Sequence, residues 1–205
     1  MRRYFTLAAL ATVLSVAACG PVPVTKVVTI ELAPSTFKQR TAAAGVLAAR
    51  FDGYRPEASV LEKSIVLAFH GEAPDDVTLH SIGAAQGIFR VSPADAKHFL
   101  IMSDLDVENA NVFKDDDSGT LNIQLTEQAG AKMAEYTKRN VGRVLVATLD
   151  RKEISRATVQ GVFGRQFQTS GLDLELARNM AVILRHGRLP VAVTHIDIQQ
   201  SVEGT

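Results

Sequence analysis

The chain has 205 residues, and its 22 lysines and arginines are balanced by 22 aspartates and glutamates. This balance argues against nucleic acid as a partner, because neutralising phosphates requires a clustered basic excess. Beyond the first twenty residues there is no apolar run of the roughly 20 residues that a membrane-spanning helix needs, which excludes a channel or transporter. The remaining composition is that of an ordinary globular protein.

The N-terminus has the pattern of an export signal. Arg2 and Arg3 form a positive region, and residues 4–18 form an apolar run that is too short to span a membrane comfortably. Val16–Ala18 then places small side chains directly before Cys19, the only cysteine of the chain. This pattern resembles the lipobox of bacterial lipoproteins, in which the cysteine thiol is acylated and the residues before it are removed.

That resemblance implies a signal peptide at residues 1–18, lipidation of Cys19 by acyl chains such as palmitate, and a lipid-anchored tether at residues 19–26. Each buried acyl methylene contributes about 0.8 kcal/mol, so several chains hold a protein firmly at a bilayer. In similar lipoproteins an aspartate after the cysteine favours the inner membrane. Gly20 stands at that position here. We therefore expect a periplasm-facing protein on the outer membrane rather than the inner one.

Residues 27–95 read in the order strand, helix, strand, strand, helix, strand. This is the order of a ferredoxin-like βαββαβ unit, so we predict an α+β base over this range. The expected strands lie at 27–32, 58–61, 64–70 and 87–91, and the expected helices lie at 35–51, capped by Ser35, and at 74–82.

Residues 96–205 carry a second α+β set of elements, which we assign to a second subdomain that includes the C-terminal strand. We expect a hairpin of 111–114 with 121–125, a helix at 126–139, strands at 143–149 and 154–159, a last helix that is capped by Ser170 and ended by Gly187, and a strand at 191–198.

Two stretches of this second half carry a family resemblance. The first contains Leu125, Gly130-Ala131, Thr137, Val141-Gly142, Leu149-Asp150 and Ile154-Ser155. The second contains Leu184-Arg185, Gly187 and Leu189-Pro190. Over roughly residues 111–198 they resemble the head of the first periplasmic domain of SecD, a membrane subunit of the protein-export machinery.

The resemblance implies a SecD-like base plus head, and contact with exported polypeptides or with an envelope partner. The chain departs from the family pattern at Arg151, where glycine is usual, and at Arg156-Ala157, where the family tends to have a proline. No second apolar run corresponds to the membrane segments that couple SecD to the proton gradient. Proton-driven pulling is therefore not expected.

The sequence offers no catalytic or metal-binding pattern, so we expect no enzyme, no cofactor and no metal. The five histidines are scattered without the spacing of metal ligands, and no nucleophile elbow or phosphate-binding glycine loop occurs. Asp104, Asp106, Glu108 and Asp115 loosely resemble a calcium loop, but the glycine and the final glutamate that such a loop needs are missing.

Two aromatic residues, Phe163 and Phe167, lie in a polar segment at 161–169 that reads as a loop. They are candidates for contact with a partner, because aromatic side chains often anchor interfaces. The alternative is that both fold under the loop and pack on the sheet.

We therefore expect a non-enzymatic, lipid-anchored periplasmic binding module that contacts exported proteins or the export and envelope-assembly machinery. A structural envelope lipoprotein that reuses a SecD-like fold without an export role is the alternative. An unrecognised hydrolase would need a pocket with convergent polar groups.

Overall fold

The first strand of the described chain pairs with the last, so the fold begins and ends in one sheet. The computed structural model describes residues 22–115 and 118–200, and Cys19 lies outside them. The strands are β1 (Val24–Leu32), β2 (Glu57–Val60), β3 (Ser64–His70), β4 (Phe89–Pro93), β5 (Met102–Ser103), β6 (Val107–Asp115), β7 (Ser118–Leu125), β8 (Val144–Leu149), β9 (Lys152–Thr158), β10 (Gln166–Asp173) and β11 (Val193–Gln200). The helices are α1 (Phe37–Arg50), α2 (Asp76–Ala84), α3 (Glu127–Arg139) and α4 (Leu174–His186), with short 3-10 turns at Asp52–Tyr54 and Asp104–Asp106.

The base is a four-stranded antiparallel sheet in the order β11-β1-β3-β2. Its strand β3 alternates strictly between buried and half-exposed residues. Ile65, Leu67 and Phe69 of β3 are fully buried, while the residues between them are half-exposed. These side chains pack with those of α1 and α2 in one apolar cluster. The predicted ferredoxin-like α+β architecture is confirmed, since both the element order and the antiparallel pairing are those of a βαββαβ unit.

The strand that closes this sheet is not the one that the sequence favoured. The apolar segment expected at 87–91 forms β4, which pairs with β5 and β8 in the head instead. Its place beside β1 is taken by β11, so the predicted assignment of the C-terminal strand to the second subdomain is wrong. The head is therefore an insertion between α2 and β11. A strand pattern reports which residues alternate in burial, and it does not report which sheet they join.

The head contains two antiparallel sheets, ordered β10-β7-β6 and β5-β4-β8-β9, and α3 and α4 pack chiefly on the first of them. Their facing side chains form a second apolar cluster that includes Phe89, Leu121, Ile123 and Met133. The α4 helix belongs to both halves, because Met180 and Leu184 enter the head cluster while Val182 packs against the base cluster.

Two helix starts differ from the prediction by a few residues. Thr36, rather than Ser35, caps α1 in a reciprocal capping box with Gln39. Asp173, rather than Ser170, caps α4, and its Oδ1 accepts a hydrogen bond from the Leu176 amide at 2.9 Å. Ser170 instead lies within β10, which is held extended by its pairing with β7.

The two chain connections between base and head meet at Arg50, the last residue of α1. Its guanidinium donates to the carbonyl oxygens of Ile82 (3.0 Å) and Ala85 (2.6 Å) at the end of α2, and to that of Gly187 (2.7 Å) after α4. Gly87 approaches so closely that a Cβ there would lie 2.7 Å from Arg50 Nη2. The junction is therefore tightly packed around a single buried cation.

Candidate functional site

A cleft of about 450 Å³ opens between the two sheets of the head. Its floor is apolar, because the inward-facing residues of β4, β5 and β8 form it. They are Val91, Met102, Leu145 and Ala147. The volume lies within the range of small-molecule and side-chain pockets, and the lining is mainly apolar with a few polar groups, as binding clefts usually are.

Phe163 and Phe167, the two predicted contact residues, both line this cleft and both are half-buried. The Phe167 ring stacks on Phe89 of the head core with 6.5 Å between ring centroids and 15° between ring planes. The Phe163 amide donates to Thr137 Oγ1 at 2.9 Å, which fixes the loop onto α3. The two rings thus pack on the core with one side and form the wall of the cleft with the other.

The opposite wall is lined by small side chains. Ser155 and Ala157 of β9 face the cleft, and they stand opposite Ala147 and Leu145 of β8 in the strand register. Small residues at these positions leave space beside the aromatic wall, which is why a cleft exists here instead of a filled core.

One polar group in the lining lacks a partner. Asn122, on β7, is only 9% exposed, and its Oδ1 has no hydrogen-bond partner within the described part of the chain. A buried acceptor of this kind costs about 1–3 kcal/mol unless a donor satisfies it. The cleft therefore offers a hydrogen-bond acceptor to an occupant.

No charged side chain contributes to the cleft lining within residues 22–115 and 118–200. The titratable groups with shifted pKa values lie elsewhere. Burial lowers the pKa of Arg50 to about 10 at the base–head junction, and the nearby Asp150 carboxylate acts in the opposite direction. Burial also lowers the pKa of His186 at the end of α4, aided by the charges of Arg185 and Arg50.

The histidines are spread over both halves of the molecule. His70 Nδ1 lies 2.9 Å from the Val22 carbonyl oxygen at the start of the described chain, while His80, His98 and His195 are exposed. Across the described ranges, no group of three or more His, Cys, Asp or Glu residues is placed to hold a metal ion. No helix in those ranges is both long and apolar enough to cross a membrane.

Comparison with known proteins shows that the head is similar to a known subdomain family. Residues 91–191 match the model of the SecDF P1 head subdomain. The SecD translocase subunit of Aquifex aeolicus is 34% identical over 71 residues, which is 34% of this chain and 14% of that protein. The SecD subunit of Sebaldella termitidis is 26% identical over 153 residues, which is 70% of this chain and 38% of that protein. The chain thus spans well under half the length of these relatives.

A solved structure shows the same fold over both halves. A chain of SecDF, described as a membrane component that enhances protein export, superposes with a TM-score of 0.66 at 18% identity and covers 83% of this chain and 98% of that chain. The described residues thus define an α+β domain with a ferredoxin-like base and an inserted head. More particularly, the chain contains a SecD-like first periplasmic domain, related to the protein-export machinery.

The sequence pattern singles out Phe163 and Phe167 of the cleft but not its other lining residues. Ser155, Ala157 and Asn122 carry no local signal, because small and amide side chains are common on any exposed strand. The cleft arises only where β9 and β10, from different sheets, come to the same opening.

Proposed function

We propose that this protein is a lipid-anchored, non-enzymatic binding module that holds apolar segments of exported polypeptides in the head cleft. The observation that carries the proposal is the cleft itself, which combines an apolar floor, an aromatic wall and an uncharged opening. Polypeptides that have crossed a membrane unfolded expose apolar side chains, which folded proteins bury. The relationship to SecD supports such a client, because SecD is a protein translocase subunit.

The size of the cleft supports weak and reversible binding. Burying one large apolar side chain contributes about 1.5–3 kcal/mol. Two such side chains would contribute about 3–6 kcal/mol before the entropy lost on association is subtracted. Taken alone, this gain corresponds to dissociation constants of about 0.04–6 mM, and the cost of association makes the binding weaker still. A module that must release its client without an energy source is suited by weak binding of this kind.

The uncharged lining also supports the absence of catalysis. A hydrolase needs a nucleophile with an adjacent base, or an acid and a base that converge on one point. Ser155 is the only serine of the lining, and no histidine or carboxylate accompanies it there.

The proposed anchor would hold the base near the membrane. Cys19 is only three positions before Val22, the first described residue. Val22 in turn contacts His70 at the end of β3 in the base. Lipidation of Cys19 would thus keep the base sheet close to the lipid surface, and Gly20 favours the outer membrane as that surface.

Filling the cleft tests the proposal. We expect Ala157→Trp to weaken binding of a reduced, carboxymethylated secretory polypeptide to the full chain about tenfold, measured by fluorescence anisotropy. Ala157 is exposed at the cleft opening, so the larger side chain occupies client space without disturbing the core. Replacing Phe163 or Phe167 is less informative, since both rings also pack on the head core.

Thr158→Trp is the matched control. Thr158 is the next residue of β9, is also exposed and does not line the cleft. The Thr158→Trp variant should bind the polypeptide with the same affinity as the unmodified chain. Equal affinities for both variants, or no binding by the unmodified chain, would contradict the proposal. The second result, combined with an envelope defect in a deletion strain, would favour a purely structural role.

A further inference from the structure

Two strands at the mouth of the cleft have unpaired edges. β10 is the outermost strand of the order β10-β7-β6, and β9 is the outermost strand of the order β5-β4-β8-β9. Within the described residues neither outer edge forms a main-chain ladder with another strand. Gln166–Thr169 of β10, and Ser155 and Ala157 of β9, all line the cleft.

The pairing of β10 with β7 identifies the main-chain groups that point outward. The Leu125 amide donates to the Arg165 carbonyl at 2.7 Å, so Arg165 faces β7. Gln166, Phe167 and Gln168 stand opposite Gln124, Ile123 and Asn122. Because successive residues of an antiparallel strand alternate between facing the partner and facing away, the N–H and C=O groups of Gln166 and Gln168 point to the free edge.

The first four residues of β10, which line the cleft, also lack the features that normally protect an edge strand. Exposed edges are usually blocked by charged side chains, bulges or proline. Gln166–Thr169 contains none of these. The register of both strands is irregular, but β9 also carries the charged residues Lys152, Glu153 and Arg156. The edge of β10 is thus the better template for an added strand.

We propose that the polypeptide held in the cleft binds as an added β-strand along the edge of β10. The inference rests on the proposed function and specifies its client as an extended segment in which apolar and polar residues alternate. Main-chain bonds to Gln166 and Gln168 set the direction of the segment, and every second side chain enters the cleft against Phe167. Such recognition is tolerant of sequence, because main-chain groups are the same in every polypeptide except at proline.

The unpartnered acceptor of Asn122 is an independent observation in support. Asn122 stands opposite Gln168 in the register and lines the same cleft. A polar donor on the bound segment satisfies its buried Oδ1. The β10 ladder shifts register between Thr169 and Leu172, so the regular edge is only about four residues long and accommodates a short segment.

Gln168→Pro tests the added strand directly. Proline removes the outward N–H of residue 168 but no hydrogen bond to β7, and proline is tolerated on edge strands when its nitrogen faces outward. Gln168→Ala is the control, because it removes the side chain and keeps the N–H. The probe is a labelled synthetic peptide of alternating valine and threonine with terminal lysines, titrated onto the full chain. We expect Gln168→Pro to weaken its binding about tenfold and Gln168→Ala to leave it within about twofold.

Methylated peptides provide a second test of the added strand, which does not require that the Gln168→Pro variant folds. Methylating the peptide nitrogens on alternate residues blocks one edge of the peptide strand. One of the two possible methylation patterns should therefore abolish binding, and the other should retain it. Urea unfolding of Gln168→Pro checks that the head remains folded.

Three results would overturn the added strand. If Gln168→Pro and both methylated peptides bind normally while Ala157→Trp weakens binding, the cleft binds polypeptide but not as a strand. If the carboxymethylated polypeptide binds and the alternating peptide does not, the client is not an extended segment. If the chain self-associates in light scattering and Gln168→Pro abolishes this, the edge accepts a second copy of the chain. Failure of every probe to bind contradicts the proposed function as well.

Discussion

We expect Arg50→Met, at the junction between base and head, to lower the free energy of unfolding more than the removal of any one surface charge would. Arg50 is 4% exposed, and its guanidinium donates to three main-chain carbonyls from two separate connections. Methionine keeps an unbranched apolar side chain in place, so the substitution removes the hydrogen bonds and the charge while preserving most of the packing.

The expected loss follows from these contacts. A hydrogen bond from a charged donor contributes about 1.5–3 kcal/mol, and each buried carbonyl left without a donor costs about 1–3 kcal/mol. Desolvation of the buried cation offsets part of the stabilisation that these hydrogen bonds give. The same desolvation lowers the pKa of Arg50 to about 10. We therefore expect the free energy of unfolding to fall by about 3–5 kcal/mol, comparable to breaking a buried ion pair.

Urea unfolding followed by circular dichroism measures this loss, and Arg40→Met is the control on the same helix. Arg40 is half-exposed and donates to one carbonyl, that of Ser35, so its loss should be near 1 kcal/mol. Hydrogen exchange at the Leu189 amide, which donates to the Gln86 carbonyl at 2.8 Å across the junction, should accelerate in Arg50→Met. A loss below about 1 kcal/mol, or equal losses in both variants, would refute the reasoning.

Two further predictions concern pH and the anchor. Burial lowers the pKa of His186 below its ordinary value of 6.5, so on acidification the unfolded state takes up this proton before the native state does. The free energy of unfolding should therefore fall as pH drops from 6.5 through the lowered pKa, and His186→Asn should reduce that slope in urea unfolding; an unchanged slope would contradict this assignment. Cys19→Ser should abolish palmitate labelling and release the protein from the membrane fraction of cells, and an unchanged membrane fraction would disprove lipid anchoring.

Local patterns predicted most elements of the base. The alternation of Ile65, Leu67 and Phe69 indicates a strand with one buried face, and the structure shows that strand as β3. Long-range pairing was not predictable in the same way. The segments that form β4 and β11 both read as half-buried strands, and only the packed molecule determines which of them lies beside β1.

The candidate site was predictable only in part, for a related reason. Phe163 and Phe167 stand out because aromatic residues are unusual in a polar segment. The segment of β10 has the sequence pattern of a loop, since Gln166 and Gln168 place amides where an edge strand faces solvent. The segment is a strand because it pairs with β7, and the residues of β10 alone do not indicate that pairing.

The insertion of the head has a consequence for how a bound segment would be held. Because the head is joined to the base at both of its ends, between α2 and β11, any load on the cleft is shared by two connections. Arg50 bonds to both of them, and Gln86 Nε2 adds bonds to the Leu189 and Val191 carbonyls. Two connections that are held together by hydrogen bonds restrict rotation of the head more than one flexible linker would. The cleft should therefore keep a fixed orientation relative to the base sheet. A lipid on Cys19 would then set the height of the cleft above the membrane as well as the location of the protein.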